Sequence, residues 1–279
     1  MSRASVAVGV AALAASALAL GARPPEVEAP ARVLRVCSDP NNLPFSNRAG
    51  QGFENRLAEL LAAELGAEVR YTWWAQRRGF VRNTLGAGEC DLVAGVPAGY
   101  EPVTTTRPYY RSTYVFVTRS DLTPPIESID DARLRRLRIG VHLVGDDYAS
   151  TPPVTALARR GIVRNLHGYT IYGDYREPNP PARLIEAVAR GDVDVALAWG
   201  PLAGYFAGRQ AVPLRVTPFR ERDDGPAAPF VFAIAMGVRH GDTVLARRVE
   251  AVLVRRRDEV RRILEAYGVP LVPETREAT

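Results

Sequence analysis

The sequence contains no lysine. All 36 of its basic residues are arginine, set against 31 acidic residues, for a net charge of +5. A nucleic-acid-binding surface ordinarily mixes the two cations in a clustered patch. Here the longest basic run is Arg255–Arg257, within a helix-like stretch, and complete replacement of lysine reads as a coding bias. Nucleic acid is therefore not an expected partner. Cysteine is also scarce, with two residues in 279, which excludes a disulfide-dense scaffold and a Cys-rich zinc site. The three histidines, His142, His167 and His240, are far apart and suggest no metal site. Gly-x-Ser-x-Gly, His-Glu-x-x-His, Walker-type and Cys-x-x-Cys motifs are all missing, and no carboxylate pair stands out, so no enzymatic activity is expected.

Long apolar runs are limited to one. Arg3 precedes Val6–Leu20, a stretch of Ala, Val, Leu, Gly and Ser, followed by small residues and the charged, proline-rich stretch from Arg23 to Pro30. A basic start, a short apolar run and a small-residue zone form an export leader. The run is shorter than the roughly 20 residues of a membrane span, which argues against an uncleaved anchor. The expected leader is 1–22, and the expected location is periplasmic.

Beyond the leader, strand and helix patterns alternate. Val33–Cys37 is β-rich, and Ser38–Gly52 is a loop rich in Asn, Pro and Gly. Phe53, Leu57, Leu60, Leu61 and Leu65 recur at helical spacing, with Gly66 placed to end the helix. Glu68–Trp74 and Cys90–Val96 read as strands around a short helix near Phe80. After a linker-like stretch at Arg119–Pro125, a second series begins with strands at Leu137–His142 and Val193–Trp199 and helices at Pro153–Arg160 and Leu184–Arg190. Phe230–Val238 is a strongly apolar strand, and Thr243–Tyr267 reads as one helix. Such alternation specifies an α/β protein with parallel strands.

Three stretches carry a family resemblance: LRVCSDPNNLPFSN at 34–47 leading into GFEN at 52–55, GECDLVAGVP at 88–97, and TTRPYYRSTYVFV at 105–117. Their order resembles the periplasmic solute-binding proteins of the polar-amino-acid type. With WWAQRRGFVRNTL at 73–85, the match narrows to the quinoprotein-dehydrogenase-associated branch, of MoxJ/XoxJ type. The resemblance implies a two-lobe, type 2 periplasmic binding protein fold with two crossovers and an interlobe cleft. Lobe 1 would comprise 23–118 plus 230–279, and lobe 2 would comprise 119–229. It implies a non-catalytic accessory protein that binds a PQQ-dependent methanol or alcohol dehydrogenase and supports its assembly or activation. PQQ and calcium or a lanthanide would reside on that partner, and a c-type cytochrome is a further possible partner. The alternative is the solute-binding component of an ABC importer for a small ligand other than an amino acid.

The amino-acid-binding relatives clamp their ligand with a Thr and an Arg after the third strand and an acid at the end of a second-lobe strand. The corresponding positions here are Val96, Gly99 and Trp199, so the clamp is missing. Glu101 and Arg107 lie close in sequence, but only in a different register. Candidate residues for the cleft or a partner contact are Asp39, Asn42, Phe45, Trp74, Arg77, Arg78, Tyr109, Tyr110 and Trp199. In parallel α/β sheets ligands sit beyond the C-terminal strand ends, where these map. Each has a plain structural alternative. Phe45 and Tyr109 suit a lobe core equally well. Trp73 and Trp74 point to opposite faces of a strand, one into a core and one outward. Arg77, Arg78 and Arg82 form either a solvated helix face or a patch for an acidic partner. Asp39, Asn41 and Asn42 either turn the loop through Asx-type bonds or contact a ligand. At Gly145–Asp147, where relatives use helix-start N–H groups for anions, Asp146 and Asp147 would oppose an anion.

An exported chain permits a disulfide. Yet Cys37 ends one strand and Cys90 opens its expected parallel neighbour, which separates them by several residues at about 3.3 Å each. Bridged Cα atoms lie near 6 Å. The register argues against a bridge, and whether Cys37 and Cys90 are bonded stays open.

Overall fold

The computed structural model describes residues 32–144, 149–171, 175–219 and 229–273. The leader at 1–22, Gly145–Asp147 and the last six residues lie outside the described residues. The chain opens with β1 (Arg32–Ser38), a small ribbon of β2 (Asn41–Asn42) and β3 (Ser46–Asn47), then α1 (Phe53–Leu65) and β4 (Ala67–Trp73). It continues through α2 (Phe80–Asn83), β5 (Leu92–Pro97), β6 (Thr104–Thr105) and the long β7 (Tyr110–Arg119). Next come β8 (Ile139–Val144), β9 (Ala149–Ser150), α3 (Pro152–Arg159), β10 (Leu166–Thr170), α4 (Arg183–Arg190), β11 (Val195–Trp199), α5 (Gly200–Ala207) and β12 (Leu214–Pro218). The apolar β13 (Val231–Val238) leads to α6 (Thr243–Arg255) and α7 (Arg257–Ala266).

The main sheet runs β10-β8-β11-β7-β13-β5-β1-β4, with β12, β6 and β9 attached beside it. β1 pairs in parallel with β4 and β5, and β8 pairs in parallel with β10 and β11. Two antiparallel strands join these parallel groups. Tyr110–Thr113 of β7 pairs with Val231–Ile234 of β13, while the rest of β7 pairs with β11 and β12. The passage between the groups therefore runs inside β7, ahead of the linker-like stretch at Arg119–Pro125. Ile126 and Ile129, just beyond that stretch, are fully buried in the second group's core.

Sequence pattern explains the first layer. Phe53, Leu57 and Leu61 are buried on one face of α1 against Leu34, Val36 and Leu92 of the sheet. Leu57 is 0% exposed, so truncation to alanine would cost about 2–5 kcal/mol. Gly66 ends the helix in the left-handed region at φ 61°, as its position after Leu65 predicts. At the other end Gly52 has no room for a side chain, because a Cβ would run into the Phe45 carbonyl. Asn55 closes this turn by accepting the N–H groups of Gly52 (3.0 Å) and Asn47 (3.1 Å). The GFEN motif is thus a backbone-fitting device before it is anything else.

One open question is answered and one expectation is corrected. Cys37 and Cys90 form a disulfide, with Cα atoms 5.6 Å apart. β1 and β5 do pair in parallel, with Cys37 opposite Val93. Cys90, however, precedes the strand and packs in one buried cluster with Cys37, Phe80, Leu85 and Val93. The expectation placed it in the strand line, where the register would have kept the sulfurs apart. The single helix expected over Thr243–Tyr267 is two helices meeting at Arg256, whose φ of −104° and ψ of 20° depart from helical values. Glu64 at the end of α1 holds this elbow, accepting from Arg255 at 2.8 Å and Arg256 at 2.6 Å.

Candidate functional site

The loop after β1 emerges at the C-terminal strand ends, where the Trp74 N–H donates to the Ser38 carbonyl (3.0 Å). Asp39 follows and is 2% exposed. Its carboxylate accepts three hydrogen bonds: from the Asn41 N–H (2.8 Å), the Gln76 N–H (2.7 Å) and the Tyr175 hydroxyl (2.8 Å). The first is the expected Asx-type turn. The third comes from a segment 136 residues away. That segment, Tyr175–Asn179, lies along the loop: Asn41 donates through Nδ2 to the Glu177 carbonyl (2.8 Å) and accepts the Asn179 N–H (3.2 Å). The Arg77 guanidinium stands over the Tyr175 ring at 5.5 Å, a cation–π contact. Glu177 is ion-paired with Arg183 at the start of α4. Burial and the neighbouring Asp39 carboxylate push the Tyr175 hydroxyl well above its ordinary pKa, so it stays protonated as a donor.

Asn42 is buried and donates to the Gln76 side chain (3.0 Å), leaving its own Oδ1 without a partner. The polar groups at these strand ends are therefore largely engaged by the chain itself. Nothing in the sequence pairs residue 39 with residue 175, so Gln76, Tyr175 and Asn179 were not foreseen.

The aromatic candidates separate into two groups. Tyr110 is 7% exposed and built into the first core, with Phe53 at 6.3 Å edge to face. Tyr109 packs on the same core and donates its hydroxyl to the Ala94 carbonyl (2.9 Å). Phe45 sits edge to face with Phe53 at 5.4 Å. For these three the packing alternative describes the geometry. Trp199, at the end of β11, packs instead with Tyr114 of β7 (5.3 Å) and Phe232 of β13 (5.8 Å). This aromatic trio clasps the two strands that join the parallel groups.

The tryptophan pair divides as its alternation requires. Trp73 stacks on Tyr71 at 4.6 Å beneath the Arg48 guanidinium, while Trp74 is 47% exposed. Arg78 and Arg82 are exposed nearby in sequence, and Arg77 faces Tyr175. The outward tryptophan is the largest of the exposed apolar side chains.

Glu54, the third letter of GFEN, is a buried acid that pattern reasoning passed over. It is 8% exposed and lies against Gly95 of β5, where a Cβ would strike its Oε1. Burial, then the charge of Asp39, pushes its carboxyl up to about 8, so it is mostly protonated at neutral pH. In the second half His142 is 2% exposed, with Nε2 unpartnered. Burial lowers it to about 4, against a backbone hydrogen bond at Pro181, so it is neutral at pH 7.

An anion subsite is poorly supplied. The N-cap of α3 is Thr151, and Pro152 and Pro153 occupy its first turn. Two of the N–H groups that would face an anion there do not exist. Val96 is buried and Gly99 stands in a left-handed turn at φ 73°. Among the described residues no group of three His, Cys, Asp or Glu is placed to hold a metal ion, and no helix is long and apolar enough to cross a membrane.

Comparison with known proteins identifies the scaffold. No family model matches the chain. It is 34% identical over 255 residues to protein MoxJ of Methylorubrum extorquens, covering 87% of this chain and 83% of that one. It is 32% identical to protein MoxJ of Paracoccus denitrificans, over 87% and 90% of the two chains. The crystal structure of periplasmic binding protein XoxJ from Methylobacterium extorquens AM1 superposes with a TM-score of 0.71 at 38% identity, covering 86% of this chain and all of that one. The fold is the type 2 periplasmic binding protein fold. With that sequence likeness spread over most of its length, the chain belongs to the MoxJ family of periplasmic binding proteins.

Proposed function

We propose that this protein is a non-catalytic periplasmic accessory factor of methanol oxidation. It binds a PQQ-dependent methanol or alcohol dehydrogenase and supports its assembly or activation. The observation that carries this reading is the state of the strand-end loop in a chain of MoxJ descent. Asp39 and Asn41, placed where this scaffold takes its ligands, are bonded to the chain's own Tyr175–Asn179 segment. The amino-acid clamp is replaced by Val96, Gly99 and Trp199. A ligand-delivery protein needs free polar groups that close on solute, because a solute leaving buried groups unpaired binds weakly. Here most of them are satisfied within the chain, Asn42 Oδ1 excepted.

The outward Trp74, with the exposed Arg78 four residues on, offers a contact of the type enriched at protein interfaces. PQQ and calcium or a lanthanide belong to the dehydrogenase, and a c-type cytochrome is a possible third component. The leader at 1–22 directs export, and the disulfide suits an oxidising compartment.

The test mixes the purified mature chain with its neighbouring dehydrogenase, in apo and PQQ-loaded forms. Light scattering reads complex formation, and dye-linked activity is read in the same samples. The expected result is a complex with the apo form whose activity rises on adding cofactor. No complex at micromolar concentration, with no change in activity, overturns the reading in favour of solute delivery to an importer.

A further inference from the structure

The outer face of the first parallel group carries a groove of about 650 Å³ that the strand-end loop does not involve. Its walls are the start of β7, the elbow of α6 and α7, and the C-terminal segment Leu271–Pro273. That segment is fixed to β7. Its Val272 N–H donates to the Arg111 carbonyl (2.9 Å), Arg111 Nη1 donates to the Pro273 carbonyl (3.2 Å), and Ser112 donates to the Pro270 carbonyl (2.7 Å). Leu253, Val260 and Leu264 lie at the bottom, and Val254 stands 64% exposed at the edge. The groove is thus a concavity with an apolar floor and a charged border.

Among the described residues its charge is one-sided. Arg107, Arg111, Arg257 and Arg261 border it, against Glu250 and Asp258. Glu250 is taken by Arg107, accepting its backbone N–H (3.0 Å) and its Nε (2.6 Å). Arg257 and Arg261 are one turn apart on α7 and therefore share a face. Arg257 has only Asp258 at 4.0 Å, and both side chains are more than 80% exposed, so that pairing is weak. The adjacent arginines Arg255 and Arg256, by contrast, are both committed to Glu64.

We propose that this groove is a docking site for an acidic segment of the partner protein. An apolar side chain of that segment rests on Val254 and the groove floor, and its carboxylates lie on Arg257 and Arg261. Guanidinium groups suit the task because they take carboxylates in bidentate geometry. The inference deepens the dehydrogenase reading and rests on it, since it says where on this chain that partner binds.

The experiment measures the dissociation constant of the mature chain with the dehydrogenase at two salt concentrations. The double variant Arg257→Glu/Arg261→Glu is compared with wild type and with Val254→Asp. All these positions are exposed, so circular dichroism and melting should match wild type. The expected result is binding weakened about tenfold or more by the double variant, with a smaller salt dependence, and weakened by V254D as well. Unchanged affinity and salt dependence in the double variant overturns the inference and leaves the dehydrogenase reading intact. Failure of the wild-type chain to bind overturns both.

Discussion

Two regions of the first parallel group carry charged and polar side chains in opposite conditions. At the strand ends, Asp39 is buried beneath three donors, one of them from Tyr175 in the other half of the chain. On the outer face, Arg257 and Arg261 project from α7 with little to bind. The first region resembles a ligand site by position, but its bonding capacity is used internally. The second lies away from the strand ends, and its capacity is left over. Position on a fold therefore does not identify a binding surface. What does is the balance of donors and acceptors that the rest of the chain leaves unmatched. Glu54 makes the same point within the first region. Burial, then the charge of Asp39, keeps it mostly protonated at neutral pH.

The largest expected effect comes from emptying the satisfied site. Asp39→Ala leaves the Asn41 and Gln76 N–H groups and the Tyr175 hydroxyl without their acceptor. A loss of about 3–5 kcal/mol in denaturant unfolding is expected. A loss below about 1 kcal/mol would mean that water serves these donors equally well, and the contrast between the regions would dissolve.

Next in size is a pH effect. The folded-state carboxyl of Glu54 is raised from 4.5 to about 8, so the folded chain holds a proton that the unfolded chain releases. Its contribution is full below pH 4.5 and is lost as pH rises toward 8. Glu54→Gln should remove that dependence and stabilise the protein at pH 8 by a few kcal/mol, read from melts across pH 5–8. His142 acts in the opposite sense, because its folded pKa is lowered from 6.5 to about 4. Its contribution is present above 6.5 and lost as pH falls toward 4. Between them these two groups place the highest stability at mildly acidic pH.

A smaller effect is expected from Tyr175→Phe, which deletes one donor to Asp39 but keeps the ring under Arg77. About 1 kcal/mol of stability should be lost, with faster amide exchange at Asn179, whose N–H donates to Asn41. At the bottom of the scale, charge reversal at Arg257 and Arg261 should change the stability of the isolated chain by less than about 0.5 kcal/mol. A larger loss would show that these arginines have a structural role and would remove them from the unmatched class.

Much of the fold was legible in the sequence because its signals are local. The spacing of Phe53, Leu57 and Leu61 and the stop at Gly66 give α1 directly. The apolar run at Phe230–Val238 gives β13 to within a residue. The elbow at Arg256 was not legible, because Val252 and Leu253 before it and Val260 and Leu264 after it keep helical spacing across the break. The contact with Glu64 that holds it belongs to another helix. The disulfide was left open for a related reason. Strand register fixes where Val93 lies, but not the path by which Cys90, ahead of the strand, reaches Cys37. Of the candidate residues, Asp39 and Asn42 were picked out by type and position, whereas their hydrogen-bond partners Tyr175 and Gln76 carry no pattern that marks them.

By itself the sequence determined the alternating α/β order and the family motifs, since each is written in residue identity and short-range periodicity. Tertiary structure alone decided which polar groups are spent and which remain. A hydrogen bond between Asp39 and Tyr175 closes over 136 intervening residues. Its formation depends on donors and acceptors meeting at about 2.8 Å, a condition that only the packed chain sets.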